Sequence, residues 1–182
     1  AIAQVLYGDY NPSGKLPMSF PRAVGQIPIY YNYKNTGRPT LPVPGRVFWS
    51  HYQDVENTPL YSFGYGLSYT SFEYTNLQAE VLSDKEVSVS VMLKNIGKFT
   101  GKEVVQLYIK DHYATVTRPV RELKGFELVS LKVNESKKIS FILTERELGF
   151  YDNQGHFVLE PGDFSIFVGG DSNAKLETKI TL

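Results

Sequence analysis

The sequence contains no cysteine, and only two of its 182 residues are methionine. Disulfides, zinc sites built on thiolates and cysteine nucleophiles are therefore excluded. Nineteen Lys and Arg balance nineteen Asp and Glu, so no excess charge indicates nucleic acid or an anionic membrane as a partner. No apolar run approaches the ~18 residues of a membrane span. A chain without cysteine fits the cytosol or a bacterial periplasm and does not decide between them.

What the chain does contain is aromatic residues, with 13 Tyr and 11 Phe, which favour β structure. Its first seven residues have neither an initiator Met nor the basic region of a signal peptide. They read as the last two turns of an amphipathic helix, with Ile2, Val5 and Leu6 on one face and Gly8 after its end. A helix this short is not stable alone, so we expect the rest of its domain upstream.

Three zones that differ in composition and periodicity follow one another along the chain. In residues 1–28, the helix remnant and a turn lead to an extended edge segment with alternating Leu16, Met18 and Phe20, where closely spaced prolines forbid a helix. Residues 29–71 lack periodicity but carry seven aromatics between Tyr30 and Tyr61. Such a segment predicts a long ordered connector pinned against a neighbouring surface, since disordered segments are poor in aromatics.

Residues 72–182 show strong period-two alternation, which predicts about seven strands separated by turn signals such as 152–155 and 161–163. The clearest run alternates Val87, Val89, Val91 and Leu93 with polar residues and Met92. Seven short strands over roughly 110 residues are typical of an immunoglobulin-like or fibronectin type III-like β-sandwich. The fold class predicted for the chain is therefore mainly β.

The polar residues offer no convincing catalytic centre. The histidines have no metal-ligand spacing, and the serines near glycine do not occur in a nucleophile elbow. A glycosidase needs two carboxylates facing each other across a sugar, but each acidic candidate also has a structural explanation as a turn, connector or strand-end residue. The residues considered are His51, His112, His156, Ser13, Ser68, Asp9, Asp54, Glu56, Asp111 and Glu122.

The connector carries the one functional indication. Aromatic rings next to hydrogen-bonding charged groups are how proteins hold sugars, because ring faces stack on C–H faces while hydroxyls need polar partners. The alternative is that the same aromatics only pack the connector onto its neighbour. The residues predicted to lie near a substrate are Arg38, Trp49, Tyr52 and Asp54. His51 lies between Trp49 and Tyr52 in the same segment.

An ordered series of local motifs resembles the C-terminal part of glycoside hydrolase family 3, the β-glucosidase and β-xylosidase type. The series covers essentially the whole chain, and its longest members are specific. The motifs are G-D-Y-N-P-S-G-K-L-P at 8–17, F-P at 20–21, Y-Y-N at 30–32, G-R-P at 37–39, P-L-Y-S-F-G-Y-G-L-S-Y-T at 59–70, G-K-E-V-V-Q-L-Y at 101–108, R-P-V-R-E-L-K-G-F at 118–126 and P-G-D-F at 161–164.

The resemblance implies an architecture and a division of labour. Residues 1–28 would end an α/β sandwich domain, 29–71 would be the connector, and 72–182 a fibronectin type III-like domain. The family's nucleophile and acid/base carboxylates belong to upstream regions, and Ser83-Asp84, the only Ser-Asp pair, lacks the barrel context of the nucleophile. No catalytic residue, metal or cofactor is therefore expected here.

Two roles stay open for the chain, together with a third in which it is a plain spacer. In the first, it is a structural part of a retaining β-glucosidase and buttresses the upstream catalytic domains, which act on a glycoside or oligosaccharide. In the second, the sandwich is a carbohydrate-binding module that uses Tyr108, Phe157 and Phe167 as exposed aromatics. The resemblance further implies a periplasmic or secreted bacterial protein.

Overall fold

The computed structural model describes residues 1–38 and 48–182. Residues 39–47 of the predicted connector, including Pro39 of the G-R-P motif, lie outside the described residues. Within the described ranges, no helix is long and apolar enough to cross a membrane.

Two antiparallel sheets form the body of the molecule, as the alternation predicts. One sheet has the strand order β1-β2-β5 and the other β4-β3-β8-β9, while β6 and β7 form a two-residue hairpin. The seven longer strands match the predicted number. The elements are α1 (Ile2–Leu6), a 3-10 turn (Val24–Gln26), β1 (Phe72–Ser83), β2 (Glu86–Asn95), β3 (Gly101–Asp111), β4 (Glu122–Leu131), β5 (Ser136–Thr144), α2 (Glu145–Leu148), β6 (Phe150–Tyr151), β7 (Phe157–Val158), β8 (Asp163–Gly169) and β9 (Leu176–Thr181).

The core lies between the two sheets and is built from the alternating apolar residues. In β2, Val87, Val89, Val91 and Leu93 are all buried, while the residues between them point to the other face of the sheet. Strands β3, β4, β8 and β9 of the other sheet contribute the opposing side chains. The predicted fold class is confirmed: the chain is mainly β and forms a sandwich.

Strands β3 and β8 differ from simple alternation because both of their faces are buried. Tyr108 pairs with Phe167 across these strands, and both side chains are buried. The prediction that these two rings are exposed is therefore wrong. The physical reason is a cover over the outer face of the sheet: the ring of Tyr31, from the connector, packs edge-on to Tyr108 with 5.9 Å between centroids.

The first zone is attached to the connector through backbone hydrogen bonds. The Phe20 amide donates to the Tyr61 carbonyl at 2.8 Å, and the Leu16 amide donates to the Tyr65 carbonyl at 2.8 Å. The segment with alternating Leu16, Met18 and Phe20 is not helical, as predicted, but it bends at residues 17–18, and only Phe20 forms a β-bridge, with Tyr61 of the connector. By contrast, Ile2 and Leu6 of α1 are exposed in this chain.

Candidate functional site

The connector is fixed to the sandwich by an aromatic stack. The rings of Tyr31 and Phe63 lie 4.2 Å apart with an interplanar angle of 17°. The Tyr31 hydroxyl accepts a hydrogen bond from the Leu123 amide at 3.3 Å. For these two aromatics, packing onto a neighbouring surface accounts for their presence, and that surface is the outer face of the β4-β3-β8-β9 sheet.

Gln106 joins three separate segments beneath this stack. Its side-chain Nε2 donates to the carbonyls of Gly64 at 3.1 Å and Gly170 at 2.5 Å. Its Oε1 accepts from the Tyr108 hydroxyl at 2.5 Å. Burial raises the pKa of the Tyr108 phenol, so this hydroxyl stays a donor. The result is a satisfied buried polar network that positions the connector.

Lys15, Glu103 and Tyr74 tie the first zone to the sandwich. Lys15 Nζ lies 2.9 Å from Glu103 Oε1, and the Tyr74 hydroxyl donates to the same oxygen at 2.9 Å. Burial, followed by the charge of Glu103, raises the pKa of the Tyr74 phenol. The ammonium group comes from the N-P-S-G-K-L-P motif and the carboxylate from the G-K-E-V-V-Q motif, so two motifs distant in sequence form one buried ion pair.

Two of the predicted substrate-proximal residues lie at the two ends of the segment 39–47. The Arg38 guanidinium carbon stands 5.9 Å from the centroid of the Phe48 ring. Next to Phe48, the Trp49 ring stacks on His51 at 3.8 Å with an interplanar angle of 17°. The structure therefore brings Arg38 close to an aromatic cluster of Phe48, Trp49 and His51, which is a combination of groups suited to a sugar.

The other two predicted residues lie apart from this arrangement. Tyr52 is exposed and lines a groove, and its backbone amide donates to Asn57 Oδ1 at 3.1 Å. Asp54 is exposed on a bend of the connector. Among the described residues, the four predicted positions thus occupy one connector without converging on one point.

The groove lies between the connector and one end of the four-stranded sheet, and its volume is about 1030 Å³. Arg121 forms part of its floor. The guanidinium stacks on the Phe167 ring at 3.9 Å and donates to the carbonyls of Ser172 and, at 2.9 Å, Ala174. Burial lowers the pKa of Arg121 from its ordinary value, and neighbouring Tyr108 and Glu177 act in the opposite direction.

Sequence reasoning missed Arg121 and the β8–β9 turn as parts of a site. Arg121 belongs to the R-P-V-R motif, but its partners are backbone carbonyls, which carry no side-chain pattern that a sequence could reveal. The groove residues are Ser19, Gln26, Pro28, Ile29, Tyr30, Tyr31, Tyr33, Ser50, His51, Tyr52, Asn57, Thr58, Pro59, Val120, Arg121, Phe167, Ser172, Asn173, Ala174, Lys175 and Glu177.

Three of the acidic candidates, Glu56, Asp111 and Glu122, have structural partners. Asp111 Oδ2 and Glu122 Oε2 contact Arg118 from two sides, at 3.6 and 2.6 Å. Burial raises the pKa of Asp111 although Arg118 opposes the shift. Glu56 pairs with Arg22 at 3.0 Å. These carboxylates act as counter-ions, and Asp9 is exposed in its turn.

Two of the histidines sit on the sandwich. His112 Nε2 lies 2.8 Å from Ser165 Oγ, and that hydroxyl donates to Glu177 Oε1 at 2.7 Å. Burial lowers the pKa of His112. Because the serine proton is directed to the carboxylate, this order of groups is not that of an activated serine nucleophile. His156 is exposed, 3.4 Å from Asp152, and the described residues contain no cluster of three potential metal ligands.

A fibronectin type III-like sandwich with an aromatic connector bound to one sheet is the class that this geometry defines. A family model described as a fibronectin type III-like domain matches residues 103–172. A second model, described as the glycosyl hydrolase family 3 C-terminal domain, matches residues 1–69. The chain belongs to glycoside hydrolase family 3. The division at residues 28 and 71 stays a prediction.

Individual relatives extend the similarity over nearly the whole chain. A periplasmic β-glucosidase of Salmonella typhimurium is 49% identical over 175 residues, which are 94% of this chain and 23% of the relative. A β-xylosidase of Formosa agariphila is 44% identical and aligns with 96% of this chain and 24% of the relative. The chain therefore spans about a quarter of the length of the curated relatives that it matches.

Solved structures give the same result. A β-glucosidase from Listeria innocua superimposes with a TM-score of 0.90 at 44% identity, over 99% of this chain and 25% of that one. A family 3 β-glucosidase from Bifidobacterium adolescentis has a TM-score of 0.78 at 28% identity, over 100% of this chain and 27% of that one. The sandwich and its connector are thus an arrangement shared with solved enzymes.

Proposed function

We propose that this chain is the C-terminal structural part of a β-glucosidase-type glycoside hydrolase. The observation that carries the proposal is the 49% identity to a periplasmic β-glucosidase over 94% of the chain. The complete protein would hydrolyse terminal β-linked sugars with retention. One carboxylate attacks the anomeric carbon, the other protonates the leaving oxygen, and water then hydrolyses the glycosyl-enzyme. Both carboxylates would lie upstream of this chain.

The chain's own contribution would be to hold the connector rigidly beside the catalytic domains. Three contacts support this role: the Tyr31–Phe63 stack, the Gln106 network and the Lys15–Glu103 pair. The exposed Ile2 and Leu6 of α1 would pack on the upstream α/β domain. The location would be the periplasm or the exterior, which the similarity to a periplasmic Salmonella enzyme supports; fractionation of cells tests it.

A comparison of two proteins tests the proposal. We expect the complete protein to hydrolyse an aryl β-glucoside and the 182-residue chain alone to show only background turnover. Because relatives include β-xylosidases, the aryl β-xyloside is assayed in parallel to decide the preferred sugar. Turnover by the isolated chain well above background, or none by the complete protein on either substrate, would contradict the proposal.

The connector residues Arg38, Trp49, Tyr52 and Asp54 would approach the sugar. Replacing Arg38 by Ala in the complete protein should raise KM for an aryl glucoside by about tenfold or more, because a charged hydrogen bond contributes about 1.5–3 kcal/mol. The matched control is Arg146→Ala, which removes an exposed Arg from α2 and should leave KM unchanged. Equal KM values for both variants would exclude Arg38 from the substrate site.

The alternative role as a carbohydrate-binding module loses two of its three motivating residues, because Tyr108 and Phe167 are buried. Phe157 is 40% exposed but packs edge-on to Tyr151 at 5.2 Å. If the chain itself binds sugar, the connector side of the sandwich is a better place than the strand faces on which that hypothesis was based.

A further inference from the structure

One wall of the groove carries three tyrosines whose rings are partly open to solvent. Tyr30 is 63% exposed, Tyr33 is 45% exposed and Tyr52 is 42% exposed. Within the described ranges, none of the three rings pairs with another aromatic ring, whereas Tyr31 between them turns inward onto Phe63. The connector thus alternates an anchoring ring with rings that face the groove.

The opposite wall is polar and belongs to the sandwich. Asn173, Lys175 and Glu177, from the β8–β9 turn and the start of β9, are exposed and line the groove. Lys175 makes no ion pair with any described residue. This wall therefore offers one cationic donor, one anionic acceptor and one amide to a bound molecule.

Both walls are held in place without a ligand. Arg121 fixes the β8–β9 turn through the Ser172 and Ala174 carbonyls. The connector wall is joined to the same region because the Val120 amide donates to the Tyr33 carbonyl at 2.9 Å. A preformed site loses little conformational entropy when it binds, which favours affinity even in an open groove.

We propose that this groove binds a neutral oligosaccharide, with Tyr30 on one wall and Lys175 on the other making the contacts. Tyrosine faces match the C–H faces of pyranose rings, and the opposite wall supplies donors and acceptors for hydroxyls. Lys175 and Glu177 carry opposite charges, and Arg121 already donates to the Ser172 and Ala174 carbonyls, so the groove presents no cluster of free cations that would select an anionic sugar. A volume of about 1030 Å³ has room for more than one sugar ring, since the pockets that bury drug-sized ligands measure ~300–1,000 Å³.

The competing occupant is an upstream segment of the same protein. A packed protein segment would favour apolar walls, as in the core between the sheets, whereas one wall of this groove is built from Asn173, Lys175 and Glu177. The polar side chains of this wall therefore fit a hydroxyl-rich ligand better. The inference goes beyond the proposed function, because a binding groove and a hydrolytic centre can each be present or absent independently.

The experiment is a calorimetric titration of the complete protein with laminaritriose, with isofagomine present in excess. Isofagomine occurs bound in a structure of the Listeria innocua β-glucosidase. We expect weak, saturable binding that Tyr30→Ala weakens by about tenfold, the effect of one aromatic contact. Lys175→Ala, on the opposite wall, should weaken it several-fold. Tyr113→Ala removes another exposed tyrosine that lies outside the groove, and it should leave binding unchanged.

Hydroxyl-radical footprinting of the sugar-free protein provides the second measurement. We expect Tyr30 to be as reactive as Tyr113 and to become protected when laminaritriose is added. Absence of binding heat at millimolar sugar, or binding that neither Tyr30→Ala nor Lys175→Ala weakens, overturns the proposal. So does protection of Tyr30 before sugar is added, because a protein segment then fills the groove. Hydrolysis of an aryl β-glucoside by the wild-type protein, measured separately, reports on the proposed function alone.

Discussion

Replacing Glu103 by Gln is expected to lower the free energy of unfolding by about 3 kcal/mol. Only 15% of the Lys15 side chain and 8% of the Glu103 side chain are exposed. Removing one partner of a buried ion pair costs about 3–5 kcal/mol, because the remaining charge is left without compensation. The amide of Gln can still accept hydrogen bonds from Lys15 and Tyr74, which places the loss at the lower end. Urea unfolding of the chain, followed by circular dichroism, measures it.

An exposed ion pair supplies the control for this prediction. Lys137 Nζ and Glu127 Oε1 lie 3.4 Å apart, and both side chains are about half exposed. Glu127→Gln should therefore cost less than about 0.5 kcal/mol. Adding Lys15→Met to Glu103→Gln removes the orphaned ammonium and should recover part of the loss. If Glu103→Gln and Glu127→Gln cost the same, the buried pair does not stabilise the fold.

Replacing Gly64 by Ala is expected to cost about 3 kcal/mol or more. Gly64 has a φ of 79°, a left-handed conformation that costs a non-glycine residue about 1–2 kcal/mol. A Cβ at this position would also overlap the buried side-chain amide of Gln106. Displacing that amide disrupts its bonds to Gly64, Gly170 and Tyr108, and overpacking of this kind adds about 1–3 kcal/mol.

Gly155 distinguishes the cost of the left-handed backbone from the cost of the steric overlap. Its φ of 82° nearly equals that of Gly64, but a Cβ there would meet no atom within 4 Å. Gly155→Ala should therefore cost only the backbone share, about 1–2 kcal/mol. The melting temperatures of both variants give the comparison. Similar losses would mean that the Gln106 network yields easily and does not fix the connector.

Much of the sandwich could be predicted from the sequence, because burying one face of a sheet requires an apolar residue at every second position of a strand. Val87, Val89 and Val91 show this in β2. The same rule failed for Tyr108 and Phe167, since Tyr31 covers the first ring and the Arg121 guanidinium covers the second. Alternation shows which residues share a face of the sheet, but it does not show which other segment covers the outer face.

The candidate site was less predictable than the fold. The aromatic connector was identified as a place for sugar, and Tyr52 does line the groove. Arg121 and the turn that it holds were not identified, because guanidinium-to-carbonyl contacts depend on how two distant loops meet. Composition singled out the aromatic half of the groove, whereas the polar half arises from tertiary folding alone.

Lys15, Tyr31 and Phe63 attach the first zone and the connector to the sandwich, and this attachment limits where the protein can be truncated. A polypeptide begun at Phe72, where the strand pattern starts, would keep every long strand and still be damaged. It would present Tyr108 to water and leave Glu103 without its cation. Within the described residues, limited proteolysis should accordingly spare 11–38 and 48–182, apart from exposed loop tips. The unit that can be moved to another protein is therefore longer than the sandwich and includes the segments before Phe72 that carry Lys15, Tyr31 and Phe63.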